Sequence, residues 1–277
     1  MAADSIATQQ VEMQDNYRPA LRAIRHLPVI VASLVGLVAF LWPFWSPVTQ
    51  GAADAAAHSQ DAPLVTALVV GLCVLVAVAD RTQMLNSKSV ALLGVLCALN
   101  AALRLVSNFF PMPGGFSLVF VLIILVGYVF GARMGFLMGT FSLLASALIT
   151  GGVGPWLPFQ MIASAWVGMT AGWLPKSQPS NVKSQTWMLA LFGAVWGMVF
   201  GAVMNLYFWP FVVGDPSQYY QVGLGIGEIL KRYAAFYAVT SLWYDAARAV
   251  GNAVMIVALG PAIIKTLERF KRRLNFE

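Results

Sequence analysis

Asp245, Arg248 and Asn252 follow one another at intervals of three and four residues within an otherwise apolar stretch. On a helix that spacing sets the carboxylate and the guanidinium on one face, with the amide a turn further on. About 20 helical residues counted back from Lys265 place the trio at the far end of a bilayer-spanning segment. By the same count Asn100, Arg104 and Asn108 lie near the corresponding end of a second apolar segment. Gln160 lies near that end of a third, and Asn205 and Tyr207 near that end of a fourth. Polar groups inside apolar segments are costly and mark function by default. One reading makes Asp245 and Arg248 an internal ion pair that fixes packing. The other makes this level a polar-lined cavity open to one side, and convergence of four segments favours the cavity. Arg104, Asn108, Gln160, Asn205, Asp245 and Arg248 then contact the polar parts of a ligand, and Trp156, Tyr207 and Tyr244 supply apolar walls. Gln160 and Asn205 are expected to be the cleanest probes, because neither leaves a charge stranded when removed. Trp209, Tyr219, Tyr220, Tyr233, Tyr237 and Trp243 crowd the same side and individually read as an interfacial aromatic belt.

Other chemistry is missing. No GxxxxGK[ST] string occurs, so ATP is not expected to bind this chain. The run Gly223-Leu224-Gly225-Ile226-Gly227 has no preceding strand and reads as a loop. The two histidines are His26 and His58, far apart and outside the apolar segments, which argues against a histidine metal site. No serine–histidine–acid set is available. Cys73 and Cys97 both fall in apolar runs and suggest no disulfide framework. The expectation is a chain that is not an enzyme and holds no catalytic cofactor or metal.

The elements that must position these residues follow from composition. Hydrophobic residues make up 59% of the chain and charged ones 10%, too few to cover a water-facing surface. This predicts an all-α, polytopic membrane helix bundle. Eight spans are expected: Val29 to Trp45, Leu64 to Ala79, Ser89 to Ser107, Phe116 to Phe130, Met134 to Thr150, Trp156 to Leu174, Trp187 to Trp209, and a last one ending near Ile264. The fourth and fifth are short and nearly continuous, either tight tilted spans or partly re-entrant. Threading eight spans from a cytoplasmic N terminus leaves 13 of the 17 Lys and Arg on the inner side, as basic loops prefer. Both termini are then cytoplasmic. The net charge of +6 is read as topology and not as nucleic-acid binding. The organisation expected is a polar tail over 1–28 that is no signal peptide, two extra spans over 29–80, a six-helix core over 89–266 and a basic tail over 267–277.

Gly94, Ala98 and Ala102 recur every four residues on the third span, a spacing that lets two helix backbones approach closely. The string GGVGPWLPFQM from Gly151 to Met161, preceded by PGGFSLVFVLIILVGYVFGARMGFLMG, resembles the substrate-binding S component of energy-coupling factor (ECF) vitamin transporters. The resemblance covers Ser89 to the C terminus. It implies a six-helix membrane subunit of the plasma membrane that binds a vitamin from outside. It also implies partners: a transmembrane coupling subunit and two cytoplasmic ATPases, which alone bind ATP. The stripe Gly94, Ala98, Ala102 resembles the AxxxA motif by which such components meet the coupling subunit. The two extra spans depart from the family pattern. The sequence block looks most like members linked to cobalamin uptake; riboflavin, thiamine precursors and dimethylbenzimidazole are the alternatives. A lipid-directed membrane enzyme or a regulatory subunit without a ligand are the competing classes.

Overall fold

The computed structural model describes residues 27–44, 66–71, 74, 87–109, 119–176, 182–212, 215 and 217–273. These residues form helices and turns, and no strand occurs among them. Helix α1 spans Leu27–Leu41. It is followed by α2 (Ser87–Phe109), α3 (Val119–Phe130), α4 (Ala132–Thr150), α5 (Leu157–Ala171), α6 (Val182–Phe208), α7 (Ile226–Thr240) and α8 (Leu242–Arg273). Four of them, in α2, α4, α6 and α8, are long and apolar enough to cross a membrane. The chain is a polytopic helical membrane protein. Of the second expected span only 66–71 and 74 are described, and they are helical.

Helix α3 is the hub. All 12 of its residues are buried, and it packs against α2, α4, α5, α6 and α8. A run such as VFVLIILVGYVF, apolar on every side, is stable only where every side meets protein or lipid. The chain reverses after α3 at Gly131, whose φ of 96° is a left-handed conformation that glycine adopts without a side-chain clash. The two expected short spans are thus two separate helices. A Cβ on Gly135 would lie 2.7 Å from the Gly127 Cα, so α4 folds straight back along α3.

Contacts fix the levels. Gly127, Gly135 and Gly168 meet at one crossing of α3, α4 and α5. At that same end of α3, Lys271 on α8 donates to the Val129 carbonyl at 3.1 Å. Helices α6 and α8 run antiparallel, with Gly193, Gly197 and Gly201 facing Asn252, Ala249 and Asp245 respectively. The connection from α2 to α3, residues 110–118, is short, so these helices also run oppositely. Helix α2 is therefore parallel to α4.

Helix α1 is part of the same apolar core. Phe40 is 1% exposed and lies between Phe159 and Trp166 of α5, ring centres 5.0 and 5.8 Å away. Phe44 beyond it meets Trp209 and Tyr220. The first expected extra span is bonded into the bundle through α5.

Helix α7 has no counterpart among the expected spans. It is amphipathic, buries only Phe236, and leaves Ile226, Leu230 and Val239 exposed. Its inner face completes an aromatic cluster of Trp209, Tyr220 and Phe236. Arg232 ties it to the preceding loop by donating to the Tyr219 carbonyl at 3.3 Å. Arg232 also bonds Glu228 at 3.0 Å, and that hydrogen bond holds the Glu228 carboxyl below its ordinary range. The glycine run read as a loop is a turn up to Gly225, and Gly227 already lies in α7.

Candidate functional site

The hub helix sets where a site can be. The 12 residues of α3 rise about 18 Å at 1.5 Å each, well short of a hydrocarbon core of about 30 Å. The surrounding helices continue past its Val119 end. Arg248 lies over Phe120, 6.0 Å from the ring centre, so the start of α8 stands beyond that level. Phe200 touches Phe120 at 4.7 Å, so the last two turns of α6 do too. Gly135 and Gly168 share the level of Gly127. Eight residues further toward Val119, α4 and α5 present Leu143 and Gln160. The polar residues singled out by sequence therefore share one end of the bundle.

They do not form one cluster. On the α6·α8 side the groups bond one another. Arg248 donates to the Asp245 carboxylate at 2.5 Å and to the Gly197 carbonyl at 3.2 Å. Asn252 donates to the Gly193 carbonyl at 3.0 Å. Asn205 and Ser241 hydrogen-bond reciprocally at 2.8 and 3.0 Å. Tyr237 donates to the Met198 carbonyl at 3.4 Å, and Tyr233 donates to the Ala202 carbonyl. Asp245 is 1% exposed and Asn205 4%. These bonds join α6, α7 and α8, so the internal ion pair foreseen as one reading is present. The glycines make it possible: at Gly197 a Cβ would stand 2.5 Å from the Ala249 Cα, and at Gly201 it would collide with the Asp245 carboxylate. Sequence reading missed this glycine stripe, although its four-residue spacing was visible. It also missed Ser241 and read Tyr237 only as a belt aromatic, because α7 was not foreseen. Asn205 is no clean probe, since its amide is committed to Ser241.

The α2·α4 side differs. Cys97 of α2 meets Ser142 of α4 at 3.7 Å and Met138 at 3.8 Å. Further toward the Val119 end, Asn100 and Ser146 are each 1% exposed. Both amide atoms of Asn100, Nη1 of Arg104 and the Ser146 hydroxyl are buried without a hydrogen-bond partner among the described residues. Gln160 is half-buried on α5.

The expected apolar walls divide as well. The Tyr207 ring lies tilted against Phe159, with centres 4.4 Å apart. Trp156 and Tyr244 are 44% and 60% exposed on the described surface, as belt residues are. The side chain of Asn108 lies outside the described residues. Gly94, Ala98 and Ala102 are exposed on α2, and nothing lies within 4 Å of a Cβ built on Gly94. The described residues bring together no three of His, Cys, Asp and Glu.

The described residues thus form a polytopic membrane bundle around a short central helix, with polar groups gathered at one end. Residues 88–267 match the family described as ECF transporter, substrate-specific component, and the chain belongs to that family. It is thus a membrane substrate-binding subunit of an ECF transporter; such subunits carry and do not catalyse, and they partner with a transmembrane component and ATPase subunits. No curated protein and no solved structure matches the chain significantly.

Proposed function

We infer that this subunit captures a vitamin at the Val119 end of the bundle, from outside the cell. One observation carries the reading. The central helix begins at Val119 while α2, α4, α5, α6 and α8 run on past it, bringing Arg104, Gln160, Asn205, Tyr207, Asp245 and Arg248 to one end. In this reading Arg104, Asn108 and Gln160 contact the ligand, Asn205, Asp245 and Arg248 hold the opposite wall, and Trp156, Tyr207 and Tyr244 give it apolar surface. Cobalamin is the substrate favoured by the resemblance, with riboflavin, a thiamine precursor or dimethylbenzimidazole as alternatives.

Uptake would be driven by ATP hydrolysis on two cytoplasmic partners, through a coupling subunit seated on Gly94, Ala98 and Ala102. The exposure of that stripe supports the assignment. Residues 89–266 would form the substrate-binding core, with α1 bracing α5 from outside. Both termini would be cytoplasmic. An impermeant thiol reagent should then label Ala56→Cys and spare Ser177→Cys in cells; the reverse pattern overturns the orientation.

The function is tested on the full chain purified in detergent. A retained vitamin identifies itself by its absorption spectrum or mass. Calorimetry with that vitamin should show Gln160→Ala binding about 5- to 150-fold more weakly, the equivalent of one lost hydrogen bond of about 1–3 kcal/mol. Melting of the ligand-free form should not change. A chain that retains no small molecule and binds none of the candidate vitamins overturns the reading.

A further inference from the structure

The α2·α4 seam has an internal order. Cys97 touches Ser142 and Met138, which fixes the register between two parallel helices. Asn100 and Arg104 follow Cys97 by three and seven residues, so they stay on the face of α2 that meets α4. Ser146 follows Ser142 by four and stays on the corresponding face of α4. By this spacing the three residues lie on the facing sides of the seam, one to two turns beyond the Cys97 contact, toward the Val119 end.

Their state is unusual for an interior. Buried amide, hydroxyl and guanidinium groups are nearly always hydrogen-bonded. Here Asn100 is 1% exposed with neither amide atom bonded, beside a buried Arg104 Nη1 and a buried Ser146 hydroxyl in the same condition. The charge is unbalanced as well. Asp245 is paired with Arg248 and Glu228 with Arg232. Asp215 accepts from Ser217 in a loop, and Glu268 stands near Lys176 at the opposite end of the bundle. No other acid lies among the described residues, so Arg104 has no counter-charge among them. A buried cation without a counter-charge costs several kcal/mol.

We propose that Asn100, Arg104 and Ser146 form a recognition site for an anionic oxygen group, a carboxylate or a phosphate, on the ligand this subunit carries. The inference rests on the ligand-binding reading above and narrows the substrate class. The guanidinium and the Asn100 Nδ2 donate to the anion, as Arg and amide donors do at such groups. The Asn100 Oδ1 needs a donor of its own, so the ligand presents a hydroxyl or amide N–H beside the anion. A cationic ligand of the thiamine type is disfavoured, because it would add charge next to an unbalanced guanidinium. The same anion chemistry could also be supplied by a lipid phosphate, and the test separates the two sources.

The full chain is purified in detergent, stripped of lipid, and melted alone and with each of several probes. Biotin, pantothenate, nicotinate and riboflavin 5′-phosphate supply anions. Riboflavin and thiamine are the uncharged and cationic controls. Phosphatidylglycerol added to the detergent is the lipid arm. Two results are expected. First, Asn100→Leu and Arg104→Met raise the melting temperature of the ligand-free protein, since each removes an unbonded buried polar group. Second, at least one anionic probe stabilises the wild type, and Arg104→Gln weakens its binding at least tenfold while Arg104→Lys retains part of it. An effect confined to phosphatidylglycerol keeps the anion site but assigns it to lipid, and removes its role in uptake. A fall in ligand-free melting temperature in both apolar variants shows a structural role and overturns the proposal. Binding of riboflavin or thiamine that Gln160→Ala weakens and Arg104→Gln does not also overturns it, while leaving the ligand-binding reading intact. Failure of every probe, lipid included, overturns the anion site, while the ligand-binding reading is decided separately by retention of a small molecule and binding of the candidate vitamins.

Discussion

Two seams at the same end of this bundle handle polar groups in opposite ways. Between α6 and α8, every named side chain has at least one partner within the protein: Arg248 on Asp245 and Gly197, Asn252 on Gly193, Asn205 on Ser241, though Asp245 Oδ2 and Asn252 Oδ1 have none among the described residues. Between α2 and α4, Asn100 and Ser146 are as deeply buried and have none. The difference is set by glycine. Gly193, Gly197 and Gly201 let α8 approach α6 until side chains reach backbone carbonyls that already serve the helix. The small stripe of α2, at Gly94, Ala98 and Ala102, points away from the bundle instead. Similar small-residue spacings thus close one seam and leave the other helix with a free outer face. The polar side chains of the first seam bond within the protein, while Asn100 and Ser146 of the second do not.

The comparison breaks most visibly at the glycines. Gly197→Leu should abolish a monodisperse folded protein. Its Cβ would stand 2.5 Å from the Ala249 Cα, and backbone cannot yield as a side-chain tip can. Gly94→Leu should leave the melting temperature of the isolated chain where it was. Equal effects in gel filtration and melting would mean the two stripes do the same job.

Next in size is the ion pair. Asp245→Asn leaves the half-buried Arg248 against Phe200 and Phe120 without its carboxylate and should cost about 3 kcal/mol of stability. Adding Arg248→Met should restore part of the loss. A non-additive double-mutant cycle on melting free energies is the check, and simple additivity would dissolve the pair as a unit.

Asn205→Ala should have the smallest effect. It removes the exchange with Ser241 and should cost about 1–2 kcal/mol, seen as a lower melting temperature of the ligand-free protein. If Asn205→Ala instead weakens ligand binding while melting is unchanged, the α6 side belongs to the ligand as much as the α2 side does.

Much of the architecture is legible in the amino-acid sequence. Apolar runs bounded by Pro and Gly mark α1 through α6 and α8 because a bilayer tolerates only backbone that satisfies itself within a helix. Helix α7 was not legible. Tyr233, Tyr237 and Phe236 were visible as aromatics, but IGEILKRYAAFYAVT is too polar for a span, and its helical form depends on Trp209 and Tyr220 covering its inner face. The site was half legible. Depth placed Arg104, Gln160, Asn205 and Asp245 at one end, since depth follows from counting residues along a helix. Which of them bond each other depends on how each helix is rotated, and counting carries no such information.

The sequence by itself determined that this chain lives in a membrane, how its spans are cut, and that its costly polar groups gather at one end. These are properties of single segments, set by hydrophobic length and the price of charge in lipid. The tertiary structure alone decided that α3 is the buried hub, that α1 locks onto α5, and that Asp245 is already paired while Asn100 is not. Those facts arise from contacts between residues distant in the chain, such as Gly197 with Ala249, where the absence of one Cβ determines how near two helices can come.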